Sequence, residues 1–253
     1  MSDVLWPILF TLFVWWFSTG VILYLDGLPS RTFKWTLLAA SLTLVLALAG
    51  LALTRHDTSV FGAYAAFSCA VLVWAWQEVA FLLGFVTGPR RTPCPAGLAG
   101  WQRARHALQT VLHHEIALVV LAVLVVATTW DGSNTTGLWT FMILWVMRQS
   151  AKLNIFLGVR NLNEGFLPTH LAYLHSYFRC QPMNALFPAS VLLSTIGACL
   201  LWQAALAPAA SAFQLASFSL CASMLTLAVV EHWFMVLPLP AQALWNWGLR
   251  SRA

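Results

Sequence analysis

Charge is the scarcest property of this sequence. Only 8% of its 253 residues are Asp, Glu, Lys or Arg, whereas 60% are hydrophobic. A soluble domain carries about 25% charged residues, which keep its surface hydrated. The mean hydropathy of +0.77 agrees with this deficit. The composition therefore excludes a water-soluble globular domain and predicts a protein whose outer surface mostly faces lipid.

Paired cysteines and clustered basic residues are also missing, and the first apolar run does not have the pattern of a cleavable leader. The five cysteines include no CxxC pair, which argues against a disulfide framework or a zinc knuckle. The first apolar run ends in Leu25-Asp26-Gly27 rather than in a small-residue cleavage site, so we expect it to remain as a membrane helix. The net charge of +5 is dispersed over short loops, which is typical of membrane topology and not of nucleic-acid binding.

Seven apolar runs are long enough to cross a bilayer as helices, which takes about 20 residues each. The runs cover residues 5–25, 34–54, 60–87, 107–129, 138–159, 184–206 and 210–237. We find no internal repeat and no linker. The sequence therefore predicts one all-α domain over residues 1–253, a polytopic membrane helix bundle. Its Trp- and Arg-containing tail, residues 241–253, is expected to lie at the membrane interface.

The distribution of basic residues predicts the orientation of this bundle. If the N-terminus lies outside, ten Lys and Arg residues fall in or beside the inner segments, and only Arg55 falls outside. Cytoplasmic loops are enriched in Lys and Arg in this way. We therefore predict a periplasmic N-terminus and a cytoplasmic C-terminus.

Ionisable residues within the apolar runs are the most informative, because each costs about 2.5–3.5 kcal/mol on insertion scales and is usually paired or functional. They are Glu78, His113, His114, Glu115, Arg148, Lys152, Glu231 and His232, with Asn154 and Asn161 as neighbouring polar residues. At about 1.5 Å per residue, the buried groups lie roughly 10–15 Å from the inner helix ends. We therefore predict that four helices contribute to one buried site.

Two uses of this site need no organic ligand. An ion-pair network would match the carboxylates with Arg148 and Lys152, which share a helix face at i, i+4 spacing. A metal site would hold iron or another transition metal on carboxylates and imidazoles, although the Glu-x-x-His spacing of ferritin-like bundles is absent. Its predicted ligands are Glu78, His114, Glu115, Glu231 and His232, followed by His113, Glu164, His170 and His175.

A third use is the binding of an amphipathic tetrapyrrole. A histidine would ligate the central metal, Arg148 or Lys152 would pair with a ligand carboxylate, and aromatic side chains would pack on the ring. The residue pattern alone does not decide between the ion-pair network, the metal site and the tetrapyrrole site.

Several segments of the chain resemble the photosynthetic complex assembly protein 2 family (PuhE). They are Trp15-Trp16-Phe17-Ser18-Thr19-Gly20, Leu25-Asp26-Gly27-Leu28-Pro29, Thr87-Gly88-Pro89-Arg90 with Cys94-Pro95, His114-Glu115, the run WVMRQSAKLNIFLG from Trp145 to Gly158, residues 161–170, Pro182-Met183-Asn184, Glu231-His232-Trp233-Phe234 and Leu237-Pro238-Leu239-Pro240. The resemblance covers nearly the whole chain, and His113 is less characteristic of it than His114.

This resemblance implies a protein of the inner (intracytoplasmic) membrane of purple phototrophic bacteria. It implies a role in bacteriochlorophyll supply and in assembly of the reaction centre and its core antenna. Reaction-centre subunits, light-harvesting subunits and bacteriochlorophyll enzymes are the partners to expect. The buried polar residues leave a second hypothesis, a membrane metalloenzyme, such as a di-iron, oxygen-dependent oxidoreductase acting on a bacteriochlorophyll precursor.

Overall fold

Helices make up 76% of the computed structural model, which describes residues 2–162 and 164–252. The residues outside this description are Met1, Asn163 and Ala253, and Ala253 belongs to the predicted tail. The long helices are α1 (Ser2–Asp26), α2 (Phe33–Thr54), α3 (Val60–Leu82), α4 (Gly100–Thr128), α5 (Thr136–Leu157), α6 (Leu186–Ala205) and α7 (Ala212–Phe234). Within the described residues there is no β-strand, only an isolated bridge between Val159 and Cys180. The all-α prediction is confirmed.

Six of these helices, all except α5, are long and apolar enough to cross a membrane, among the residues described. Helix α5 has 22 residues, a similar length, but it contains the polar run Arg148–Asn154. This run lowers its hydropathy because it supplies the charged residues of the predicted buried site. A multi-pass membrane protein is therefore supported, and the seventh span stays a prediction.

The helices form a bundle with α3 and α7 at its centre. Helix α2 packs on α3, α6 packs on α7, and α5 packs against both α3 and α7. The outer helices α2 and α6 expose large apolar side chains such as Leu46, Leu53 and Leu193, which suits contact with lipid. The bundle therefore encloses its polar residues between α1, α3, α4, α5 and α7.

Helix α3 ends five residues before the predicted residue 87. Gly84 adopts a positive φ of 81°, and the amides of Phe85 and Val86 both donate to Ala80 O at 3.0 Å. This is the usual way in which a glycine in the left-handed region closes a helix. Helix α4, in contrast, begins at Gly100 instead of residue 107, because its polar first turns continue the helix beyond the apolar run.

The segment between these helices lies directly on α4. The amide of His114 donates to Thr87 O at 2.9 Å, and the amide of Arg90 donates to Gln109 O at 3.2 Å. A Cβ on Gly88 would overlap the backbone of Gln109 and Thr110, so only glycine allows this approach. The Thr87-Gly88-Pro89-Arg90 motif therefore fixes the backbone beside His114.

The C-terminal strap, residues 241–252, folds back along α1. Trp245 is buried, and its indole donates to Trp16 O at 2.9 Å. The indole of Trp16 in turn donates to Leu244 O at 2.8 Å. Gly20 and Gly248 lie so close that a Cβ on either would overlap its neighbours. The predicted interfacial tail is thus packed against the bundle over its described residues.

Arg252 attaches the end of this strap to two other segments. Its guanidinium binds both carboxylate oxygens of Asp26, at 2.7 and 2.8 Å, and the side chain of Asp26 is 1% exposed. It also donates to Gly165 O at 2.6 Å and to Phe166 O at 3.0 Å. One arginine therefore joins the strap, the end of α1 and the 164–166 turn.

Candidate functional site

A cavity of about 800 Å³ lies between α1, α3, α4, α5 and α7. This volume is in the range of about 300–1,000 Å³ that is typical of small-molecule and cofactor sites. Phe166, Leu174, Tyr177, Ala241 and Trp245 close it at the end of the bundle that holds the C-terminus. The lining is mostly apolar. The ionisable residues that line it are Glu78, His114, Glu115, Arg148, Lys152, Glu231 and His232.

Seven of the ionisable residues that the sequence placed in one buried layer therefore lie around one cavity. Four helices supply the seven ionisable residues, α3, α4, α5 and α7. His113, the neighbour of His114, is exposed and does not line the cavity. Adjacent side chains of a helix point about 100° apart, which explains this difference.

Both cations of the cavity are paired with carboxylates. Arg148 forms an ion pair with Glu78, in which Nη2 donates to Oε2 at 3.2 Å and Nε lies 3.1 Å from Oε1. Lys152 forms a short ion pair with Glu115, and Gln149 donates to the second oxygen of Glu115 at 2.6 Å. Arg148 and Lys152 thus meet different partners on α3 and α4. The ion-pair network that the i, i+4 spacing suggested is present.

Glu231 differs from the other two carboxylates. Its Oε1 accepts a hydrogen bond from the indole of Trp15 at 2.7 Å, and no cation pairs with it among the described residues. Its side chain keeps an exposed surface although it lines the cavity. Two cations therefore face three carboxylates, and Glu231 is the carboxylate with unused acceptor capacity.

The two cavity histidines are held in different ways. His232 donates from Nδ1 to Ala228 O at 2.8 Å, because a carbonyl can only accept, so its Nε2 accepts from Ser150 Oγ at 2.8 Å. His114 is 1% exposed, lies beside Phe81 with ring centroids 4.6 Å apart and ring planes tilted by 48°, and has a buried Nδ1 without a hydrogen-bond partner. A buried ring nitrogen without a partner costs free energy, and His114 lines the cavity, so this residue is the one most suited to contact a ligand.

The second-rank candidates lie outside the cavity lining. His170 donates from Nε2 to Leu82 O at 2.8 Å, which satisfies a carbonyl at the end of α3. Desolvation lowers the pKa of His170, and the hydrogen bond to Leu82 opposes this only in part. His175 packs beside Phe178, and Glu164 is exposed at the start of a 3₁₀ turn.

The two asparagines support the helix ends. Asn154 is fully buried and donates to Ser190 Oγ at 3.1 Å, which connects α5 with α6. Asn161 donates to Phe234 O at 2.8 Å and also to Leu237 O. The last carbonyls of a helix lack partners within it. Asn161 therefore caps the end of α7, next to the cavity wall.

The predicted metal ligands are not arranged around one point. Among the residues described, no group of three or more His, Cys, Asp or Glu side chains has the geometry to hold a metal ion. Glu78 and Glu115 bind cations, and both nitrogens of His232 are used in hydrogen bonds. The geometry favours the ion-pair interpretation for these residues over a multi-ligand metal centre.

Several contributors to the site were not predicted from the sequence. Gln149 and Ser150 belong to the polar run of α5, so their position beside Arg148 was a usable signal. Trp15 and Trp245 gave no such signal, because tryptophans occur throughout the chain. Their rings meet edge to face with centroids 5.0 Å apart, and this contact joins the strap to the partner of Glu231.

Replacement of Glu115 by Gln is expected to lower stability by about 1–3 kcal/mol, because Lys152 is left without its carboxylate in a mostly apolar cavity. The double variant Glu115→Gln/Lys152→Gln should lose less than the sum of the two single variants. Thermal unfolding of the four proteins in detergent measures this coupling. Strictly additive losses would show that the two side chains do not interact.

Comparison with known proteins places the chain in a family. It is 44% identical over 246 residues to the "Uncharacterized 30.4 kDa protein in puhA 5'region" of Rhodobacter capsulatus, an alignment that covers 95% of this chain and 89% of that protein. No solved structure shows significant similarity. The family described as "Protein of unknown function (DUF3623)" matches residues 1–253. The chain therefore belongs to the DUF3623 family.

Proposed function

We propose that this protein is a membrane-embedded factor for bacteriochlorophyll supply and for assembly of the photosynthetic reaction centre and core antenna. In this proposal the cavity holds bacteriochlorophyll or one of its precursors. The observation that carries it is a mostly apolar cavity of about 800 Å³ inside the helix bundle, lined by the buried imidazole of His114, whose Nδ1 has no hydrogen-bond partner. Aromatic and apolar side chains suit the faces of a macrocycle, and an imidazole suits its central metal.

The gene position of the Rhodobacter capsulatus relative supports a role in the same pathway. Its name places it in the region 5' of puhA, a reaction-centre gene. The segments that resemble the PuhE family include His114-Glu115, the polar run of α5 and Glu231-His232, and these segments supply all the charged residues and histidines of the cavity lining except Glu78. Reaction-centre or light-harvesting subunits and bacteriochlorophyll enzymes are the partners that this proposal implies.

The proposal also includes the arrangement in the membrane. All seven long helices would span the inner (intracytoplasmic) membrane, with α5 protected from lipid at its polar run by its neighbours. The N-terminus would be periplasmic and the C-terminus cytoplasmic, because ten Lys and Arg residues then lie on or near the inner side. The cavity and the C-terminal strap would both lie towards the cytoplasm.

Deletion of the gene in its native phototroph, followed by complementation, tests this function. We expect the deletion to lower both cellular bacteriochlorophyll and assembled reaction centres, and the wild-type gene to restore both. His114→Leu, which removes the imidazole assigned to the central metal, should insert at wild-type level and restore them only in part, whereas His113→Leu, at an exposed position outside the cavity lining, should restore them fully. Normal pigment and normal reaction centres in the deletion strain would contradict the proposal.

A further inference from the structure

The exposed side chains among the cavity-lining residues indicate where a ligand could enter. Only three of the described residues that line it have strongly exposed side chains, namely Leu108, Leu153 and Glu231. Leu108 of α4 is 51% exposed and Leu153 of α5 is 53% exposed. These helices pack against each other far less extensively than α2 with α3 or α6 with α7. Leu108 and Leu153 therefore border a lateral portal between α4 and α5.

At the end of the bundle that holds the C-terminus, Arg103 closes the gap between α4 and α5. Its guanidinium lies 4.1 Å from the ring centre of Phe156 and donates to Phe156 O at 3.2 Å and to Tyr177 O. Exposed apolar residues continue along both helices beyond the portal, for example Ile116 of α4 and Val146 of α5. A ligand that passes between Leu108 and Leu153 therefore comes from the hydrocarbon layer and not from water.

The charged residues that line the cavity indicate which class of ligand it can hold. Arg148 and Lys152 are each bound to a carboxylate, and Glu231 has no cation partner among the described residues. An anionic ligand would have to displace Glu78 or Glu115 from its cation before it could pair with Arg148 or Lys152. A buried charge without a partner is strongly unfavourable. These ion pairs favour an uncharged ligand over a free acid, whereas the pairing of Arg148 or Lys152 with a ligand carboxylate stays a prediction from the sequence.

We infer that the ligand is an uncharged amphiphile whose apolar chain passes through the α4–α5 portal into the bilayer. This inference rests on the proposed function, and within it the ligand is the long-chain ester of the tetrapyrrole rather than the free acid. The macrocycle lies in the cavity, the chain lies between Leu108 and Leu153, and the ligand enters and leaves through the membrane.

Binding to the full-length protein in lipid nanodiscs tests the ligand class. The two probes are bacteriochlorophyll, which carries the long-chain ester, and bacteriochlorophyllide, the corresponding free acid. We expect the ester to bind at least about tenfold more tightly. Equal or tighter binding of the free acid would overturn the inference. Failure of both probes to bind wild-type protein would instead overturn the proposed function.

Portal variants test the route. Leu108→Trp/Leu153→Trp should slow association of the ester by about tenfold, and Leu108→Ala/Leu153→Ala should accelerate it. These opposite changes cannot both follow from misfolding. Val146→Trp, an exposed position on α5 outside the cavity lining, should leave the rate unchanged. Wild-type association rates in both double variants would overturn the portal.

Discussion

Arg252→Gln is expected to destabilise the protein by about 3–5 kcal/mol, the usual cost of removing one partner of a buried ion pair. The side chain of Asp26 is 1% exposed and Arg252 is its only ion-pair partner among the described residues, so the variant leaves an uncompensated carboxylate. It also removes the hydrogen bonds to Gly165 O and Phe166 O. We therefore expect the strap and the 164–166 turn to separate from α1.

The effect of Arg252→Gln is measured by the midpoint of thermal unfolding in detergent and by the rate of proteolysis within residues 241–252. Arg250→Gln is the matched control, because Arg250 is exposed in the same strap and has no ion-pair partner among the residues described. Asp26→Asn/Arg252→Gln should recover part of the loss, since it leaves no buried charge. Equal stability of the Arg252 and Arg250 variants would show that the strap is not held by this ion pair.

His114→Leu is expected to weaken pigment binding by at least about tenfold, or about 1.4 kcal/mol. Leucine retains the apolar contact with Phe81 but provides no nitrogen for the central metal of a tetrapyrrole. Because the imidazole has a buried nitrogen without a partner, its removal should preserve or slightly raise the stability of the free protein. This combination, weaker binding without a loss of stability, distinguishes a ligand-binding residue from a structural one.

His113→Leu provides the control for this prediction. His113 is adjacent in the sequence, but it is exposed and does not line the cavity. Its replacement should leave both pigment affinity and stability unchanged. If the two variants bind pigment equally well, then His114 does not contact the pigment and the orientation of the ligand in the cavity must differ.

The helix positions follow largely from the sequence, because lipid requires long apolar runs with internally satisfied backbones. Residues 34–54, for example, match α2 within one residue. The exceptions have local causes. Hydropathy does not reveal that Gly84, with its positive φ, ends α3. It also does not reveal the polar first turns of α4, where Arg103 is buried against Phe156 and Tyr177.

The composition of the buried site was also predictable, because charges inside apolar runs must gather away from lipid. Depth alone placed Glu78, Glu115, Arg148 and Lys152 together. The pairing was not predictable, since it depends on the rotation of each helix about its axis. Rotation also decides that His114 faces the cavity and His113 does not. The packing of the strap on α1 involves contacts over more than 200 residues of sequence, as between Trp16 and Trp245.

Titration of the purified full-length protein with bacteriochlorophyll tests most directly whether the cavity binds a magnesium tetrapyrrole. We predict saturable binding of one pigment per chain, with an absorption band that differs from that of the free pigment and changes in His114→Leu but not in His113→Leu. Pigment that stays in the micelle with an unshifted spectrum, in the wild-type protein as in both variants, would contradict the account.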